Sequence, residues 1–300
     1  MTAAAITRRT SARARVVAPL PLGAVVAALV PLGVLLALGV VPLVLLLANA
    51  AHDATGAVDL TRWVELFSNH VFLDVIWTTV RIGMTTTVGC VVLGTFLALV
   101  IAFVPFPGTG FVVGALNVAV SFPSFLITLA LVFVWGDVGV VNGALAAIGL
   151  GPVHLLDGQW GVVLAEVVYF TPFVLRPVLG ALGGVDRRQL EVAESLGAGP
   201  WRIVRTVVLP EVLPAVAAGG ALVLMYSLNE FGIVLFTGAK DVQTLPTLVY
   251  GQAIGRGDYQ TAAIAAVVNV AVSIGLYLLA RRVLRGSAAA RSPRGRTGLR

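Results

Sequence analysis

Long apolar runs separated by short polar segments set the pattern of this chain. The runs lie at about residues 16–48, 75–104, 111–135, 160–182, 213–236 and 261–284. A helix crosses a hydrocarbon core in about 20 residues, and each run is long enough to do so. The pattern predicts an all-α polytopic membrane protein with six transmembrane helices. Prolines fall inside several runs: Pro31, Pro42, Pro123, Pro172, Pro177 and Pro214. Each removes a backbone donor and predicts a bend there, which neighbouring helices can accommodate. The first run precedes Ala48-Asn49-Ala50, which has the small residues of a signal cleavage site. An export signal has an apolar core of only about 7–15 residues, so the longer run is expected to stay as a span.

Charge sharpens the picture. Arg8, Arg9, Arg13 and Arg15, then Arg187, Arg188, Arg202 and Arg205, then the arginines after Ala280 fall on one alternating set of connections. The segments 49–74, 136–159 and 237–260 hold Arg62, Lys240 and Arg256 against a larger number of carboxylates. The positive-inside rule then predicts both termini in the cytoplasm, as an even number of spans requires. The domain plan is a basic cytoplasmic N-terminus at 1–15, a six-helix unit at 16–284, and a basic tail at 285–300. The tail is rich in Arg, Ser, Pro and Gly and is expected to be disordered.

Overall composition excludes several classes. The 300 residues are 58% hydrophobic and 11% charged, where soluble domains carry about a quarter charged residues. The one cysteine, Cys90, allows no internal disulfide or cysteine metal cluster and reads as a small packing residue. Lys240 is the only lysine, and no glycine-rich turn leads into a Gly-Lys-Ser/Thr sequence. Such a turn is what cradles nucleotide phosphates, so this chain is not expected to hydrolyse ATP. No cofactor, metal or nucleic-acid partner is expected, and no catalytic residue is assigned.

The segment 186–211 has the clearest local chemistry. Asp186 can cap a helix, with Gln189 at capping-box spacing. Gly197 suits a left-handed helix end, Pro200 a first turn, and Pro210 is expected to end the second helix. The first helix interleaves Leu190, Val192, Ala193 and Leu196 with Glu191 and Glu194. Such a surface can enter a partner groove or rest on lipid headgroups.

Here the sequence resembles the EAA loop of ABC importer permeases. Glu191-Val192-Ala193, three residues, Gly197, nine residues, Val207, one residue and Leu209-Pro210 follow that family's spacing. Val192 stands where the family has alanine, and Val207 where it has isoleucine. The resemblance implies a type I importer permease fold in a bacterial plasma membrane, with 186–211 as a cytoplasmic coupling helix. It implies as partners cytoplasmic ATPase subunits, a second copy or a homologous permease, an extracytoplasmic solute-binding protein and the bilayer. Glu191, Val192, Ala193, Leu196, Gly197, Leu209 and Pro210 are then the ATPase-coupling residues. ATP-driven closure of the ATPases would switch the bundle between inward-open and outward-open forms.

Charged or amide side chains inside spans are costly and therefore candidates for function. Asn229, Glu230, Glu166 and Asn117 are the candidates for lining a translocation path. Asn117 and Asn269 also suit plain interhelical hydrogen bonding, and either glutamate could pair with Arg81 or Arg176. The stretch 227–250 is similar to permeases for sulfate, molybdate, iron(III), polyamines, thiamine and, most of all, 2-aminoethylphosphonate. Three other readings compete: an ATP-independent transporter or channel, an intramembrane protease using Glu166 and Glu230, and an assembly factor. The protease reading needs an acid pair or a Ser–His pair at one depth, and His52, His70 and His154 all fall in predicted loops.

Overall fold

The structure, a computed structural model, describes residues 22–53, 55–104, 106–237 and 242–291. Six helical segments there are long and apolar enough to cross a membrane. Two compact units, 1–46 and 47–300, divide the chain. The first holds most of α1 (Leu22–Ala51), a helix with Pro31 and Pro42 inside it. The basic N-terminus lies outside the described residues.

The second unit continues with α2 (Thr61–Ser68), α3 (His70–Phe103), α4 (Thr109–Ala119), α5 (Ser124–Trp135) and α6 (Val140–Ala147). Then come α7 (Gly158–Leu182), α8 (Arg187–Ser195), α9 (Pro200–Ile203), α10 (Leu209–Leu228) and α11 (Gly232–Thr237). The last two are α12 (Leu245–Tyr250) and α13 (Tyr259–Arg291). Among the described residues the rest of the regular structure is two π-helical stretches, Val204–Val208 and Gly251–Arg256, and one isolated bridge between His52 and Val58.

The core forms where α3, α7 and α10 pack against one another. Small residues let the backbones close. A Cβ on Gly219 of α10 would sit 2.9 Å from Val174 Cα and 3.1 Å from the Phe173 carbonyl oxygen of α7. Gly94 of α3 meets the same turn of α7, where a Cβ would lie 3.1 Å from Thr171 O. Close approach of this kind supplies much of the packing between helices that lipid cannot drive together. Cys90 is fully buried in the same core, as expected of a packing residue.

Three predicted boundaries change. The run at 111–135 is two helices, because Ser121 to Pro123 breaks it; Pro123 takes extended geometry and lacks a donor. The spanning segment there is Ser124–Ala147, so part of the predicted loop 136–159 is helical. The fifth run also breaks, after Leu228, and its spanning segment reaches back to Pro200. The reach back occurs because Pro210 does not end a helix. A π turn at Val204–Val208 precedes it, with Leu209 N–H donating to Val204 O, and the helix runs on into α10. A π turn absorbs the register change that a missing proline donor demands. Finally, α13 runs to Arg291, past the predicted start of the tail at 285. Ala288, Ala289 and Ala290 are strong helix formers.

A polar clamp ties the segment after α1 to the start of α13. Arg62 donates to Asp258 Oδ2 (2.9 Å), to Thr261 Oγ1 (3.0 Å) and to Glu65 Oε2 (3.1 Å). Gln260 donates to Asp59 O, and Trp63 Nε1 to Ala50 O. Partial burial opposes the charge on Asp258, yet hydrogen bonds from Thr261 and Arg62 outweigh it and hold the carboxyl below its ordinary value of 3.8. Arg62 is shifted upward, chiefly by its bond to Asp258 and next by Glu65. A depressed acid stabilises the fold above its unfolded pKa, and that contribution is lost as pH falls through the folded value. Asp258→Asn should therefore lower the melting temperature of purified protein at pH 6 but hardly at all below the depressed value. Both partners are partly exposed, so the loss at pH 6 is at most about 1 kcal/mol. A variant deficit that stays constant through acid would contradict this assignment.

Candidate functional site

Most of the candidate side chains fall in two regions. The first is the foot at 186–211. Asp186 caps α8, accepting from Arg188 N–H at 3.0 Å. Gly197 has φ +77°, and its N–H closes the helix by donating to Glu194 O at 2.8 Å. Ala198 N–H reaches back to Ala193 O, which completes a glycine-ended helix stop. Pro200 then opens α9.

The apolar residues of this foot divide between two faces. Leu190 and Ala193 are partly buried and pack against the core. Val192 and Leu196 point outward, 58% and 81% exposed, and Trp201 joins them at 75%. Glu191 and Glu194 are exposed too, and with Arg187 and Leu190 they line a cavity of about 470 Å³ against the ends of α3 and α7. Leu209 and Pro210 lie on the surface at the head of α10. An outward trio of large apolar side chains beside two carboxylates is a docking surface in form. Trp201 escaped sequence reasoning, because nothing in its local pattern says which way the ring turns.

The second region is where broken helices meet. The bend between α4 and α5 and the break between α10 and α11 are tied together. Ser124 Oγ donates to Glu230 Oε1 at 2.9 Å, and Ile233 N–H donates to the same oxygen at 2.9 Å. Tyr169 of α7 donates to Phe122 O, on the same bend, at 3.1 Å. Asn229 accepts from Asn269 Nδ2 of α13 at 3.0 Å and donates to Met225 O at 2.8 Å. Discontinuous helices of this kind free backbone and polar side chains at membrane depth. Asn269 therefore does bond between helices. The side chain of Asn117 lies outside the described ones.

Glu166 sits apart from this junction. It is wholly buried between α3, α7 and α10, where Thr86 donates to Oε2 at 2.7 Å and Ser227 donates to the same atom. No partner meets its Oε1. A sealed carboxyl tied to two hydroxyls joins helices. Among the described residues, both glutamates are held by hydroxyls and a backbone amide.

A third cluster was not anticipated. Asp137, His154 and Asp157 converge, with His154 Nδ1 at 2.8 Å from Asp137 and 3.2 Å from Asp157. Buried Asn142 sets the geometry by bonding Gly136 O and both backbone groups of Val153. All three clustered side chains are exposed. They join two loop segments, and no apolar depth surrounds them.

Residues 90–285 match the family described as the binding-protein-dependent transport system inner membrane component. The chain belongs to that family. The permease is thus the membrane-spanning component of an ABC-type importer and a multi-pass protein of the inner membrane. A relative in Salmonella paratyphi A, PhnU, is named as a 2-aminoethylphosphonate transport system permease. It is 42% identical over 256 residues, spanning 84% of this chain and 89% of the relative. PotC of Escherichia coli K12, a spermidine/putrescine transport system permease, is 24% identical over 255 residues, spanning 82% and 91%. Among solved structures, a bacterial ABC transporter involved in the import of the acidic polysaccharide alginate shares the fold. Its TM-score is 0.77 at 20% identity, with 88% of the permease and 95% of that chain covered. Family membership favours ABC-type import over an ATP-independent carrier.

Proposed function

We propose that this permease imports an aminoalkylphosphonate, with 2-aminoethylphosphonate as the reference substrate. The observation that carries this reading is the 42% identity to PhnU across 84% of the chain. A separate ATPase supplies the energy and docks on Glu191, Val192, Ala193, Leu196 and Gly197, with Leu209 and Pro210 anchoring the foot to α10. A solute-binding protein delivers substrate from outside, and a second permease, identical or homologous, completes the path. Asn229 and Glu230 line that path. Both termini face the cytoplasm, in keeping with the arginine distribution.

Two measurements test this. Proteoliposomes holding the complete importer should accumulate labelled 2-aminoethylphosphonate when ATP is present; uptake of putrescine but not of the phosphonate would overturn the substrate. For orientation, Cys90 is buried and leaves single-cysteine reporters readable. Val138→Cys should react with an impermeant maleimide on intact cells, and Ser195→Cys only after permeabilisation. The reverse pattern would place the foot away from any cytoplasmic ATPase and end the coupling account.

A further inference from the structure

We propose that Glu230 is the seat for the substrate's ammonium group during passage, an inference that rests on the aminoalkylphosphonate reading and deepens it. The geometry singles this carboxylate out. Its Oε1 is fully engaged by Ser124 Oγ and Ile233 N–H. Its Oε2 has no hydrogen-bond partner among the described residues, and the side chain is only half buried. One oxygen is therefore fixed by the protein and the other is offered. Glu166 makes the contrast within the same bundle: it is sealed, and its free oxygen faces no opening.

A carboxylate at the break of a spanning helix is costly when left unpaired. A passing cation relieves that cost, and a passing anion raises it. An alkylphosphonate without an amine would bring only negative charge to Glu230. An aminoalkylphosphonate can present its –NH₃⁺, whose donors match the free Oε2. The seat is also held still. Ser124 begins α5, Ile233 lies in the first turn of α11, and Tyr169 pins the same bend through Phe122 O. Rigid neighbours of this kind keep a binding group in place without loss of order on binding. The break itself supplies the polar setting, because Asn229 beside Glu230 is exposed and already linked to Asn269. The spermidine/putrescine relative handles a substrate that also carries primary ammonium groups.

The assembled importer in detergent is treated with dicyclohexylcarbodiimide, and modification of Glu230 is followed by peptide mass spectrometry. 2-Aminoethylphosphonate and ethylammonium should each slow that modification about tenfold, the effect of one close charge pair. Ethylphosphonate, which lacks the amine, should leave the rate unchanged. Equal modification with and without the two ammonium probes, or equal protection by ethylphosphonate, overturns the seat. Uptake provides the second arm. Glu230→Gln should lower the maximal rate of 2-aminoethylphosphonate uptake about tenfold, with partial recovery in Glu230→Asp, while copurified ATPase reports on assembly. Full-rate uptake by an assembled Glu230→Gln importer also overturns it. Should the wild-type importer take up no 2-aminoethylphosphonate, the substrate reading fails, and protection by ethylammonium still decides whether Glu230 holds a cation.

Discussion

Gly197→Val is expected to abolish ATP-driven uptake while leaving the permease in the membrane. Gly197 holds φ +77°, and no atom lies within 4 Å of where its Cβ would be. The effect is therefore one of backbone strain and not of collision. A left-handed conformation costs an L-residue about 1–2 kcal/mol, and more when the side chain is β-branched. The chain relieves the strain by opening the turn, which breaks the Gly197 N–H to Glu194 O and Ala198 N–H to Ala193 O bonds. The exposed face of Val192 and Leu196 then loses its fixed angle to Trp201. A motor that docks there pulls on a slack lever. Gly197→Asn makes the graded control, because asparagine tolerates the left-handed region and should keep part of the uptake. Uptake by proteoliposomes, with membrane content by immunoblot, reads both variants. Wild-type uptake by the valine variant would remove Gly197 from the coupling account.

Gly219→Val should fail at an earlier stage, in the fold itself. Its Cβ would meet Val174 Cα at 2.9 Å and Phe173 O at 3.1 Å. Those are backbone atoms of α7 and cannot swing aside as a flexible side chain would. Overpacking of this kind typically costs about 1–3 kcal/mol, and the added valine methyls push it toward the upper end. The variant should lose folded protein in detergent, seen as a lower melting temperature and aggregation by size exclusion. Gly275→Ala in α13 is the matched control, since no atom lies within 4 Å of its Cβ position. Equal melting of the valine variant and wild type would mean that α7 and α10 do not close as described.

Much of this protein was legible along the chain. Apolar runs of spanning length have one stable solution in lipid, so six membrane helices follow from the residues without knowledge of their neighbours. The stop at Gly197 and the start at Pro200 are equally local, because φ preference and a missing donor act within one turn. The same locality explains the errors. Pro210 looked like a helix end, since a proline lacks a donor; the surrounding packing supplies a π turn instead. The two path glutamates looked alike in sequence. Only the meeting of α3, α7 and α10 buries Glu166 against Thr86 and Ser227, and only the joined breaks leave one oxygen of Glu230 free. The number of spanning segments, the stop at Gly197 and the coupling spacing are properties of consecutive residues, and the sequence alone determines them. The burial of a charge and the face on which Trp201 lies depend on residues far apart in the chain, which no local pattern encodes, so only the tertiary structure decides them.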